Sequence, residues 1–141
     1  MGQQQLLLII LGVIVVGIAV AVGITMFSDS AVNANRDALT NDLVNLASRA
    51  QQYFRRPTSL GGGGSTFNGL TADAAGIAKL TNKPLNGNGS YTITTAGTTT
   101  TGTAAFIAIE GYGNETGTDG TTPVKVHIKV FPSTDSVWVL N

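Results

Sequence analysis

The hydrophobic pattern of this chain changes character at residue 27. From Leu6 to Ile24 every residue is Leu, Ile, Val, Ala or Gly, and Thr25, Met26 and Phe27 follow before the first charge, Asp29. A run with no polar stripe does not fit a helix buried in a small soluble core. It is long enough to cross a bilayer as a helix, which takes about 20 residues. A secretory signal would open with a basic segment and close on a small-residue cleavage site after a shorter apolar run. Here only Gln3, Gln4 and Gln5 form the polar flank, and the apolar run continues into a second helical pattern.

From Ser28 to Phe54 apolar residues recur on one face. Val32, Leu39, Leu46 and Tyr53 are spaced by seven, Leu43 and Ala50 lie between them, and Arg36 interrupts the stripe. Asp29, Asp37 and Asp42 occupy the earlier half while Arg49, Arg55 and Arg56 occupy the end, the order that the helix macrodipole favours. Pro57 and the four glycines at 61–64 end the helix. Residues 1–54 thus predict one rod of about 80 Å, half apolar and half amphipathic.

The remainder predicts a short helix and an antiparallel sheet. Thr71 to Leu80 suits a helix with Thr71 as N-cap and Ala74, Ile77 and Leu80 on one side. The glycines at 61–64 read as a flexible connector; they follow a helix and lack the Lys-Ser/Thr ending of a phosphate-binding loop. After the turn at 86–89, strands are expected at Ser90–Thr95, Ala104–Gly111, Pro123–Phe131 and Ser136–Leu140. Val124, Val126, Ile128 and Val130 alternate with Lys125, His127 and Lys129, giving the third strand one inner and one outer face. The fold class is therefore α+β, a long N-terminal helix packed on a small C-terminal sheet. Its parts are the apolar helix (1–27), the amphipathic helix continuing it (28–56), a Gly-rich connection with a short helix (57–89) and the sheet (90–141).

Composition narrows the chemistry. Eight Lys and Arg balance eight Asp and Glu, so no electrostatic feature speaks for nucleic acid. Cysteine is absent, which removes disulfides, thiolate metal sites and a cysteine nucleophile. His127, the only histidine, alternates with lysines on the outer strand face and reads as solvated. Glu110, Glu115, Asp119 and Asp135 cluster near the hairpins, but without the spacing of a calcium loop. No catalytic group and no cofactor are expected. Asn88 and Asn114 each open an Asn-x-Ser/Thr pattern on an expected loop and are candidate glycosylation sites.

The N-terminus, with a polar residue at position 5 followed by an unbroken apolar helix, resembles that of type IV pilins and of type II secretion pseudopilins. The resemblance covers residues 1–30 and, beyond them, only the ladle-like layout. It implies that Met1 is the first residue after cleavage by a prepilin peptidase, and is N-methylated. The rival register cuts between Gly2 and Gln3. Two departures stand out: Gln5 occupies the place of the family's glutamate, and Val22 and Gly23 stand where a proline is usual. By this resemblance Gln3, Gln4 and Gln5 would gather around the N-terminus of an adjacent subunit. Leu6, Leu7, Leu8, Ile9, Ile10, Leu11, Val13, Ile14, Val15, Val16 and Ile18 would form the filament core. Without the proline, Gly17 and Gly23 become the expected limits of a helix break that opens only on assembly.

The function so implied is that of a structural subunit of an extracellular pilus. Its partners would be copies of itself, the prepilin peptidase and assembly machinery, and the cytoplasmic membrane before assembly. A secretion pseudopilin, an archaeal-type pilin and a single-pass anchored surface domain are the alternatives. The loops at 61–64, 98–103 and 114–118 are expected on the filament surface.

Overall fold

A computed structural model of the chain describes residues 2–141, apart from the side chain of Thr103; Met1, the expected processing and methylation site, lies outside them. One helix, α1 (Gly2–Arg55), runs through both halves of the rod without interruption. A short helix, α2 (Ala74–Ala78), precedes four strands: β1 (Gly89–Thr95), β2 (Ile107–Thr116), β3 (Pro123–Val130) and β4 (Asp135–Val139). They form an antiparallel meander in sequence order, the α+β architecture expected from the pattern. α1 lies across β2 and β3, while α2 covers β1.

The core lies between helix and sheet. Leu39, Leu43, Leu46, Ala47, Ala50 and Phe54 of α1 are buried against Ile107 and Ile109 of β2 and Val124, Val126, Ile128 and Val130 of β3. The heptad reading places Tyr53 on this stripe, whereas the structure buries Phe54 and leaves Tyr53 half-buried. An α-helix turns in 3.6 residues, so a stripe counted in sevens drifts by about 20° per repeat, and after three repeats the next residue lies nearer the original face. Tyr53 instead donates its hydroxyl to the Asn68 carbonyl at 2.7 Å.

The glycines at 61–64 are not a flexible connector. Gly63 N–H donates to Tyr53 O, Gly64 N–H to Arg56 O and Ser65 N–H to Phe54 O, at 2.8, 3.0 and 2.8 Å. These bonds satisfy the carbonyls that the end of α1 leaves without intrahelical partners. The chain folds back so tightly that a Cβ on Gly63 would lie 1.9 Å from Thr66 O.

Other boundaries shift for local reasons. The N-cap of α2 is Asp73, which accepts from Gly76 N–H at 2.8 Å; Thr71, the expected cap, donates its hydroxyl to Asp73 instead. β2 begins at Ile107 because Gly102–Ala104 coil into a 3-10 turn, and it extends to Thr116. The strand pairing Thr116↔Pro123 and the bond from Asn114 Nδ2 to Gly87 O hold that polar extension in place. Asn114–Thr116 therefore belong to a strand, and the turn lies at 117–122, where Asp119 accepts from the N–H groups of Thr121 and Thr122.

Candidate functional site

The feature without a partner inside the fold is the first half of α1. Leu8 is 68% exposed and Phe27 80%, whereas Val32 is only 8% exposed and opens the packed half of the helix. None of the most apolar stretch is buried. The stalk is thus a bare apolar cylinder on every side, and water disfavours it by about 25 cal/mol for each Å² of apolar surface. It needs lipid or protein around it.

Details of the stalk suit a dry environment. Backbone groups there have no water to bond, and α1 pairs them internally. Thr25, the first polar side chain past the run, turns its hydroxyl back to Val22 O at 2.8 Å. Gln3, Gln4 and Gln5 sit exposed in the first turns, where no acidic side chain offsets the positive helix end. The helix continues through Gly17 and Gly23, and a Cβ on Gly12, Gly17 or Gly23 would meet nothing within 4 Å. The isolated chain therefore makes no use of their missing side chains, and the expected break concerns the assembled state alone.

The head, the second half of α1 with everything after it, is tied together by polar contacts that the sequence pattern did not reveal. Asn35 donates from Nδ2 to Asn88 O at 2.9 Å, and its Oδ1 fills the space where Gly113 lacks a side chain. About two turns further on, Asp42 Oδ2 accepts from Asn86 Nδ2, Asn88 Nδ2 and the Tyr91 hydroxyl at 2.9, 2.8 and 2.5 Å. Burial pushes the Asp42 carboxyl up, but the hydrogen bonds from Tyr91, Asn88 and Asn86 together outweigh it and hold it below its ordinary value. Burial and the same carboxylate push the Tyr91 hydroxyl well above its ordinary range. The only hint in the sequence was an acid on a helix opposite an Asn-Gly-Asn-Gly turn, residues that stand 44 or more positions apart.

The Asp42→Asn variant is expected to lose about 1 kcal/mol of head stability at neutral pH, a charge-assisted bond discounted for solvent screening. A carboxyl whose folded pKa is depressed stabilises the fold above its unfolded pKa, near 4, and loses that contribution as pH falls through the folded value. Denaturation of the detergent-solubilised chain should therefore separate parent from variant above about pH 5, and the two should converge in acid.

Candidate residues outside the stalk fall into ordinary structural roles or dispersed positions. His127, read as solvated, is half-buried: its ring packs on Trp138 with centroids 4.5 Å apart, and burial lowers its pKa. Glu110 accepts from the Tyr112 hydroxyl at 2.5 Å. Among the described residues no three His, Cys, Asp or Glu side chains come together in a metal-binding group. Of the two glycosylation candidates, Asn88 is half-buried with the amide nitrogen that a glycan would take committed to Asp42. Asn114 is exposed, though in β2 and not on a loop, with its amide on Gly87 O. Of the three loops expected on the filament surface, the isolated chain exposes residues 98–102 and buries Gly63 and Gly117.

No family model matches the chain, and comparisons with curated proteins and with solved structures likewise found no match.

Proposed function

We propose that this chain is the structural subunit, the major pilin, of an extracellular type IV-like pilus. The observation that carries the reading is the bare apolar half of α1, joined without a break to a half that is packed under a sheet. In the cytoplasmic membrane, lipid surrounds the stalk and the head stands outside. In the filament, the stalks of other copies replace the lipid. Apolar surface meets apolar surface in both states, so transfer between them is nearly balanced and an assembly machine can move subunits either way. A contact between unlike faces that does not close into a ring extends as a helix.

In this reading Leu6 to Val16 and Ile18 line the filament core, and Gln3, Gln4 and Gln5 meet the N-terminus of a neighbouring copy. A neutral amide offers that terminus an acceptor but no counter-charge, so pairing there is weaker than with a carboxylate. Electron microscopy of material sheared from cells, with mass spectrometry of the subunit, tests the proposal. Filaments built of this chain are expected. A chain that stays monomeric in detergent and yields no filaments would leave a simple membrane-anchored domain.

A further inference from the structure

The chain has no net charge, yet the fold separates its charges along the long axis. β2 runs antiparallel to α1: Gly111 lies against Leu43, and Gly113 against Asn35 and Leu39. Each strand residue advances about as far as two helical residues. Glu115 and the turn bearing Asp119 thus fall at the stalk end of the head, on the side of Asp29 and Asp37, where these four acids outnumber the bases Arg36 and Lys125. At the far end Gln51 bonds to the carbonyls of Phe131 and Thr134. The far half carries Arg49, Arg55, Arg56, Lys79, Lys83 and Lys129, against the acids Asp73 and Asp135.

Two of these far-end cations are held by carbonyls. Arg49 Nη1 donates to Leu80 O at 3.0 Å, and Lys79 Nζ to Gly69 O at 2.6 Å. Three adjoining hollows, each lined by Arg49, continue past Lys83, Lys79 and Arg56 as one groove, basic except at its stalk-side edge, where Asp42 lines it and is already bonded to Asn86, Asn88 and Tyr91. Carbonyls fix Arg49 and Lys79 and leave their charge for an external partner.

Lengths point to what that partner is. The bare stalk, residues 2–27, spans about 39 Å, and the part of α1 under the head, Val32 to Phe54, spans about 35 Å. A head placed alongside a neighbour's stalk therefore covers it almost from end to end. In that position the basic far end of one head abuts the acidic stalk end of the next.

We infer that the heads of successive copies stack in one direction, the basic groove of Arg49, Arg56, Lys79 and Lys83 facing Asp29, Glu115 and Asp119 of a second copy. The inference rests on the filament reading of the stalk and adds to it a contact that sets polarity. Opposite stacking would bring like charges together, which costs several kcal/mol. The lengths fix the axial offset, and the charges fix which end meets which.

Charge reversal in the full-length chain tests the contact. Arg55→Glu with Arg56→Glu reverses the far end, and Asp29→Lys with Glu115→Lys reverses the stalk end; all four side chains are exposed. Each pair alone is expected to lower the filament yield about tenfold or more at low salt, and both pairs together to restore it. The parent's yield should also fall as salt is raised past physiological strength, where the screening length is about 8 Å. Unchanged head unfolding in detergent shows that each variant is folded; a variant that fails this is replaced by the milder Arg56→Gln or Glu115→Gln. If the singly reversed chains assemble like the parent, or the combined chain is not rescued, the pole-to-pole contact is overturned while the filament stands. If the parent itself forms no filament, the functional reading falls and this contact with it.

Discussion

The Ile14→Asp variant is expected to abolish assembly. Ile14 sits in the middle of the bare stalk, 53% exposed in the isolated chain. In the membrane, an aspartate at the centre of a spanning helix costs about 2.5–3.5 kcal/mol on the insertion scale. In a packed core of stalks it has no basic side chain to pair with, because the nearest along the chain is Arg36. Lipid lets such a charge draw in water or reach the interface, whereas packed stalks do not. A net loss of about 3 kcal/mol on passing from one to the other is roughly a hundredfold in an association constant, and every subunit added incurs it again. Quantifying sheared filaments per cell measures the effect. The Thr99→Asp variant places the same charge on an exposed loop and should assemble like the parent. Filaments of normal yield from Ile14→Asp would show that this face of the stalk is not in a dry core, and the proposed function would fail.

A methyl group at Gly63 should have the second largest effect, this time on the fold. The nearest obstacle to it is backbone, Thr66 O at 1.9 Å, with the Tyr53 ring at 3.0 Å. A flexible side chain could swing away, but this carbonyl is anchored between the Thr66 hydroxyl's bond to Gly63 O and the Tyr53–Asn68 contact on either side. Relieving the clash means opening the knot that caps α1. The bonds from Gly63, Gly64 and Ser65 would then be lost together, exposing Phe54 and Phe67, whose rings lie 4.9 Å apart. The Gly63→Ala variant is expected to lose at least about 2–3 kcal/mol in chemical denaturation, at the upper end of overpacking effects. Gly87→Ala is the control: a Cβ there meets nothing within 4 Å, and stability should change by less than about 0.5 kcal/mol. Equal stability of the two variants would mean that the glycine run is the loose connector its composition suggests.

The two halves of α1 show how far the residues alone carry. The apolar run from Leu6 to Ile24 and the repeat of Leu39, Leu43, Leu46 and Ala50 predict one rod with two kinds of surface, and the structure has it. The alternation of Val124 to Val130 likewise assigns the inner face of β3. Such features are legible because periodicity is local: each residue's neighbours on a helix or strand lie within a few positions of it. Whether the stalk leads to a filament is a property of many copies, and no pattern in one chain decides it.

Tertiary structure decided the rest. Phe54 takes the core place that a count of sevens gives to Tyr53, because the true helical period accumulates a small rotation over the length of the rod. The glycines at 61–64 are bonded back onto α1 because the carbonyls at its end needed donors and the returning backbone supplied them. Asp42 finds its three donors, and Asn35 its place beside Gly113, only when the sheet is laid across the helix. The separation of charge along the head has this origin in part. Along α1 the sequence already sets Asp29, Asp37 and Asp42 ahead of Arg49, Arg55 and Arg56, with Arg36 among the acids; the antiparallel run of β2 against α1 then adds Glu115 and Asp119 to the acidic end. Hydrogen bonds and charge pairing act over a few ångströms between residues far apart in sequence, so they are settled by the packing of elements and not by the order of residues within any one of them.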